Sequence, residues 1–119
     1  MRRTPLLTVT LAAAALLALS GCSAGASFEG TWEGSGDNAP SVEIAEDGGY
    51  TGTDGCNRLV GAGEIAEGTF EFGQLASTRK FCEGVDTWLS LAGSATVDGD
   101  TLTVLDSEGT ELGTLTRAK

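Results

Sequence analysis

Three cysteines carry most of the chemistry this chain offers, and they divide into one and two. Cys22 ends the run Leu19-Ser20-Gly21-Cys22, a small-residue cleavage site that directly follows an apolar stretch, Leu6 to Leu19, and a positive start, Arg2 and Arg3. That order is how a lipoprotein signal peptide ends, and the apolar stretch is too short to span a bilayer core of about 30 Å. The expected chemistry is alkylation of the Cys22 thiol by diacylglycerol, cleavage of residues 1–21, and acylation of the new amine with a chain such as palmitate. Two or three acyl chains, at roughly 0.8 kcal/mol per buried methylene, hold a protein to a membrane without a transmembrane helix. A plain secretory signal with an incidental cysteine, or a short uncleaved anchor, is the alternative. Cys56 and Cys82 then remain as an even pair in an exported, oxidising setting, where a structural disulfide is the default. A tetrahedral zinc site would need more ligands than two cysteines in a chain with no histidine. A redox-active pair would favour a Cys-x-x-Cys spacing, which these do not have.

The lack of histidine also removes Ser-His-Asp and Cys-His systems, so the sequence presents no catalytic constellation, and no enzymatic activity or cofactor is expected. Carboxylates are abundant, but abundance does not mark a two-carboxylate glycosidase site. Asp47, Asp54, Asp98 and Asp100 fall in Gly-rich turns without the spacing of a calcium loop, and are read as turn formers; no metal site is expected. All seventeen acids lie after Cys22, against five basic residues there, Arg58, Arg79, Lys80, Arg117 and Lys119, which gives a formal charge of −12 for the cleaved form. Such a body repels phosphate backbones, so nucleic acid is excluded as a partner, and anionic lipid would repel it too. Three of the five cations flank the cysteine pair: Arg58 follows Cys56, and Arg79 and Lys80 precede Cys82. A disulfide, with its Cα atoms about 5 to 6 Å apart, would gather them. They either neutralise nearby acids such as Asp54 and Glu83 or form a small anion- or carboxylate-binding patch, to which Asn57 and Thr78 would add hydrogen bonds.

The elements that must position these groups are short. Cys22 to Lys119 is about 100 residues, one domain with a thin core, so a disulfide worth about 3 to 4 kcal/mol in the loop-entropy model matters. Ser23-Ala24-Gly25-Ala26-Ser27 is a small-residue stretch, so residues 22–27 are read as a flexible tether, 28–116 as the domain and 117–119 as a tail. Glycines and aspartates recur every eight to twelve residues between β-prone runs. The predicted strands are Phe28–Glu33, Ser41–Ala45, Tyr50–Asp54, Gly63–Ala66, Thr69–Phe72, Ala95–Val97, Thr101–Leu105 and Leu112–Thr116. Val85, Trp88, Leu89 and Ala92 follow helical spacing and predict one short helix ended by Gly93. Trp32 and Trp88 are read as core anchors.

The ordered set Gly30-x-Trp32, Gly55-Cys56-Asn57, Thr78-x-x-x-Cys82, one helix, and Gly99-Asp100-x-Leu102 resembles the META domain family and its HslJ-like heat-shock lipoproteins, from Phe28 to about Thr116. The resemblance implies a mostly β (α+β) fold: a compact antiparallel β-domain or partly open barrel with one short helix. It also implies a family linked to stress tolerance, drug resistance and secretion without an established enzymatic activity. The expected protein is thus a monomeric lipoprotein on the extracytoplasmic face of the cell membrane, a noncatalytic binding or structural module in envelope homeostasis or stress response. Its partner would be an envelope protein or a small ligand. The alternative is a carrier that shelters an acyl chain or small hydrophobic ligand in a cracked barrel. An apolar cavity would favour the carrier, and a filled core the binding module.

Overall fold

The computed structural model describes residues 27–118. The predicted signal peptide, the lipidation site Cys22, tether residues 23–26 and Lys119 lie outside the described residues. The ten strands are β1 (Gly30–Glu33), β2 (Ser41–Ile44), β3 (Gly49–Thr53), β4 (Arg58–Ala62), β5 (Glu64–Ala66), β6 (Thr69–Glu71), β7 (Ala76–Ser77), β8 (Ser94–Asp98), β9 (Thr101–Leu105) and β10 (Glu111–Arg117). All pairings are antiparallel, in the order β5-β6-β8-β9-β10-β1-β2-β3-β4-β7.

That ladder curls back on itself through one hairpin. Only Gly63 separates β4 from β5, yet β4 pairs with β3 at one edge of the sheet while β5 pairs with β6 at the other. The returning arm, β6 and then β7, pairs with β5 and β4 in turn. The hairpin of residues 58–78 therefore joins both edges, and the sheet is a curled, partly open barrel. Its tip is Glu67-Gly68, both at positive φ (55° and 79°), the geometry that suits the twist of a two-residue hairpin turn. Between its two paired stretches, the arms lack ladder pairing at Gly61–Gly63. There Tyr50 reaches across, its hydroxyl donating to the Phe72 carbonyl at 2.8 Å. Gly61 makes this crossing feasible, since a β-carbon there would collide with the Tyr50 hydroxyl.

The interior is filled. Trp32, Val42, Ile44, Leu59, Ala95, Leu102, Val104 and Leu115 point inward from alternate strand positions, and Phe28, Tyr50, Phe70 and Phe72 pack edge-on or tilted with ring centroids 5.0–5.9 Å apart. Trp32 is wholly buried, and its indole N–H is satisfied by the Phe28 carbonyl at 2.9 Å. Trp88 packs on the margin of this core, against Gly113 of β10.

The structure differs from the sequence expectation in three places. Two strands are additional, β4 and β7. The predicted helix is a single 3₁₀ turn, Trp88–Leu91, because the disulfide at Cys82 and the positive φ of Gly84 (79°) hold the preceding residues in turns. Arg117, placed in the tail, ends β10 opposite Trp32. Its guanidinium lies 4.2 Å from the Trp32 ring centroid, donates to the carbonyls of Ser27 and Glu29 at 3.0 Å each, and pairs with Asp100 at 3.3 Å. The last residue of the expected tether is thus tied to the barrel.

Register assigns each loop to one of two ends. Gly30 faces Ile44 and Ile44 faces Tyr50, so the approach from Ser27 and the β2–β3 turn share an end, joined through Arg117 by the β8–β9 turn at Asp100. In the other direction Glu33 faces Ser41, Ser41 faces Thr53 and Thr53 faces Arg58, so the 54–57 turn and the residues after Ser77 lie at the opposite end.

Candidate functional site

The far end is organised around Asp54, which has no exposed surface. Its side chain accepts the backbone N–H groups of Cys56 (2.9 Å) and Asn57 (2.6 Å), and its own N–H returns to the Asn57 carbonyl (3.1 Å). A short acidic side chain bonding to the residues two and three positions on closes a tight turn. Gly55 sits inside that turn at φ +100°, where a β-carbon would strike the Asn38 carbonyl of the neighbouring loop. Asp54-Gly55-Cys56-Asn57 is therefore a turn whose first residue bonds, whose second bends, and whose last two project toward the chain that follows β7.

Asn57 joins the two segments. Its side-chain oxygen accepts the Lys80 N–H (2.6 Å) and the Thr78 hydroxyl (3.0 Å), while its amide nitrogen donates to the Lys80 carbonyl (3.3 Å). The Thr78 hydroxyl also accepts the Arg58 N–H (3.0 Å), and the Thr78 N–H donates to the Arg58 carbonyl (3.2 Å). One asparagine thus reads both polar groups of one backbone residue, in the manner of a strand neighbour, and extends the β4–β7 pairing through residue 80. The Cys56–Cys82 disulfide, with its Cα atoms 5.8 Å apart, fixes the next two residues.

The five residues singled out from the sequence as a binding group, Asn57, Arg58, Thr78, Arg79 and Lys80, do meet at this end, in two different capacities. Asn57 and Thr78 direct their polar atoms to the chain itself. Arg58, Arg79 and Lys80 are exposed. Among the described residues the one ion pair is Arg117–Asp100, so these three cations neutralise neither Asp54, whose carboxylate is occupied by backbone N–H groups, nor Glu83.

The sequence reading missed one component. Phe81, between Lys80 and Cys82, is 89% exposed, and Leu91 in the 3₁₀ turn is 63% exposed. With Leu75 they line an open cleft of about 510 Å³ whose polar rim includes Arg79 and Lys80. A second cleft, between Arg58, Thr78 and Lys80, opens beside it. The available sequence signal was a phenylalanine flanked by two cations and a cysteine, a setting in which an aromatic side chain has little core to enter.

A family model for the META domain matches residues 18–119. A solved NMR structure superposes with a TM-score of 0.57 at 20% identity, over 75% of this chain and 89% of its own, a likeness of fold alone. No curated protein matches the chain. The META domain is not a known enzyme family.

Proposed function

Because the chain belongs to the META domain family, we propose that it acts as a lipid-anchored, noncatalytic binding module of the cell envelope, in homeostasis or the stress response, with Arg58, Arg79 and Lys80 as its recognition patch. The observation that carries this reading is the division of labour at the far end. The polar groups of Asp54, Asn57 and Thr78 are spent on holding the chain that follows β7, and beside them Arg58, Arg79 and Lys80 are exposed with no ion-pair partner among the described residues, on an otherwise acidic domain. A rigid scaffold that displays exposed, charged loop residues is the usual arrangement of a binding surface. The carrier alternative needs interior space, whereas aromatic and branched side chains occupy the barrel interior. Cys22 supplies the membrane attachment in this reading, and the partner is an envelope component with negative charge.

The test is in-cell crosslinking of the wild type and of an Arg58→Ala/Arg79→Ala/Lys80→Ala variant. Loss of a specific crosslinked partner, with a melting temperature that changes little, is the expected result, since exposed charges contribute at most about 1 kcal/mol each to folding. Unchanged partner recovery would remove the patch from the account.

A further inference from the structure

The patch has an orientation and an apolar centre, and together they specify what it takes. The tether enters at one end of the barrel, where Ser27 is held by Arg117; exposed acids sit at both ends, Glu29, Glu46, Asp47, Asp98 and Asp100 at this one and Asp37, Glu83, Asp86 and Glu108 at the other. Arg58, Arg79, Lys80, Phe81 and Leu91 are at or beyond the other. Five tether residues reach at most roughly 17 Å, which is no more than the length of a five-residue strand, about 17 Å, before any loop is added. With Cys22 in the bilayer and the barrel standing upright on its tether, the end that bears Arg58, Arg79 and Lys80 faces away from the membrane.

Phe81 adds an apolar anchor to this outward surface. Lys80 on one side is pinned by Asn57 through its N–H and carbonyl, and Cys82 on the other by the disulfide. The ring is thus held out with little backbone freedom to lose on binding, which is how a preorganised contact gains affinity. A phenylalanine that protrudes beside a Leu75/Leu91 cleft whose rim carries Arg79 and Lys80 is complementary to a chain bearing both apolar bulk and negative charge.

We infer that the far end docks an acidic segment of a partner protein that carries at least one large apolar side chain, which packs between Phe81, Leu75 and Leu91 while its carboxylates meet Arg58, Arg79 and Lys80. This rests on the reading of the cationic trio as a recognition patch and adds to it the apolar anchor, the partner class and the outward orientation.

The experiment uses the full chain in detergent micelles and a fluorescent peptide of about twelve residues, rich in Asp and Glu with a central Leu-Phe. Control peptides replace Leu-Phe by Ser-Ser, or the acids by Lys. Anisotropy titrations are run at about 50 mM and about 300 mM salt, where screening of exposed charges differs strongly. Binding of the acidic Leu-Phe peptide is expected, weakened about tenfold or more by Phe81→Ser and by the Ser-Ser control, as for an interface hot spot. The triple alanine variant should weaken binding at low salt and flatten its salt dependence. If the triple variant loses the peptide but Phe81→Ser and Leu91→Ser bind as the wild type does, the cationic patch stands and the apolar anchor is overturned. No binding of the acidic Leu-Phe peptide by the wild type overturns the inference outright, whatever the crosslinking test returns for the patch. Phe81-dependent binding of the Cys22→Ser protein to phosphatidylglycerol vesicles would overturn it in favour of a membrane. Phe81-dependent self-association in sedimentation would overturn it in favour of a second copy.

Discussion

Asn57 shows how a side chain that looks like a ligand contact can be a piece of backbone scaffolding. Its oxygen and nitrogen are taken by Thr78 and Lys80, more than twenty residues away in sequence. Asn57→Ala leaves the inward-facing Lys80 N–H without a partner, so a loss of about 2 to 3 kcal/mol is expected, read as a lower urea midpoint. Arg58→Ala next to it should change stability by less than about 0.5 kcal/mol, because that guanidinium is exposed. Equal midpoints for the two variants would mean that the disulfide alone holds the loop. At this scale the sequence disclosed which residue types gather at the cysteines, since Cys56 and Cys82 are the even pair left once Cys22 is read as a lipidation site. It did not disclose which of them face inward, because that depends on a register between β4 and β7 that spacing along the chain does not encode. Arg117 is the sharper case. Near the end of the chain it reads as a tail residue, yet it stacks on Trp32 and bonds to two carbonyls and Asp100. Arg117→Lys should recover little of the roughly 1 to 3 kcal/mol lost in Arg117→Ala, because an ammonium has neither the fork nor the flat face; the check is a pair of thermal melts together with hydrogen exchange at residues 27–30.

Strands were legible where turns punctuate them. Asp106 accepts the N–H groups of Glu108 and Thr110, and Asp47 that of Gly49, the self-bonding by which aspartates among glycines mark turns. Leu102 and Val104 face inward with the β9 threonines on the wetter side, as alternation indicates. β4 was not legible, because Leu59 is buried, Val60 is exposed and Gly61 looks like a loop residue until Tyr50 is seen lying over it. The helical spacing of Val85, Trp88, Leu89 and Ala92 follows directly on the turn that Val85 closes onto the Cys82 carbonyl, and only the single 3₁₀ turn Trp88–Leu91 forms. The Tyr50 crossing carries a prediction of its own. Burial pushes the phenol above its ordinary value of about 10, so the folded protein keeps a proton that the unfolded chain loses. The contribution is therefore fully present below pH about 10 and is lost as pH rises through the higher folded value. Tyr50→Phe should cost about 0.5 to 1.5 kcal/mol near neutrality through loss of the bond to Phe72. It should also remove this component of the alkaline fall, both read from denaturant melts across pH. An alkaline limb identical in the two proteins would refute the assignment.

On the scale of the whole molecule, a mostly β domain with a disulfide followed from turn rhythm and cysteine count, and a partly open barrel from the family resemblance, but the way it closes did not. One hairpin serving both edges of a sheet is a set of pairings between distant segments, and local patterns are silent about them. The disulfide spans 26 residues of that closure, so its reduction should destabilise the domain by about 3 to 4 kcal/mol in the loop-entropy model. That is a fall in melting temperature on the order of 10 °C or more for a domain of this size; an unchanged melt after verified reduction would show that Asn57 and its bonds suffice. For the anchor, metabolic labelling with a palmitate analogue should mark the wild type and leave Cys22→Ser unlabelled and released from membranes. A labelled, membrane-bound Cys22→Ser protein would end the lipoprotein reading. The placement of tether and displayed loop at opposite ends of the barrel has a mechanical consequence. If Cys22 is anchored and the far end docks a partner as proposed, tension between them would run along the strands, and antiparallel ladder bonds lie across them. Such a pull loads many bonds together in shear instead of parting them one at a time, and Arg117 passes the load at Ser27 to β10 before β1 must bear it. On the lipid-anchored reading, the barrel that displays the loop would hold under such a pull.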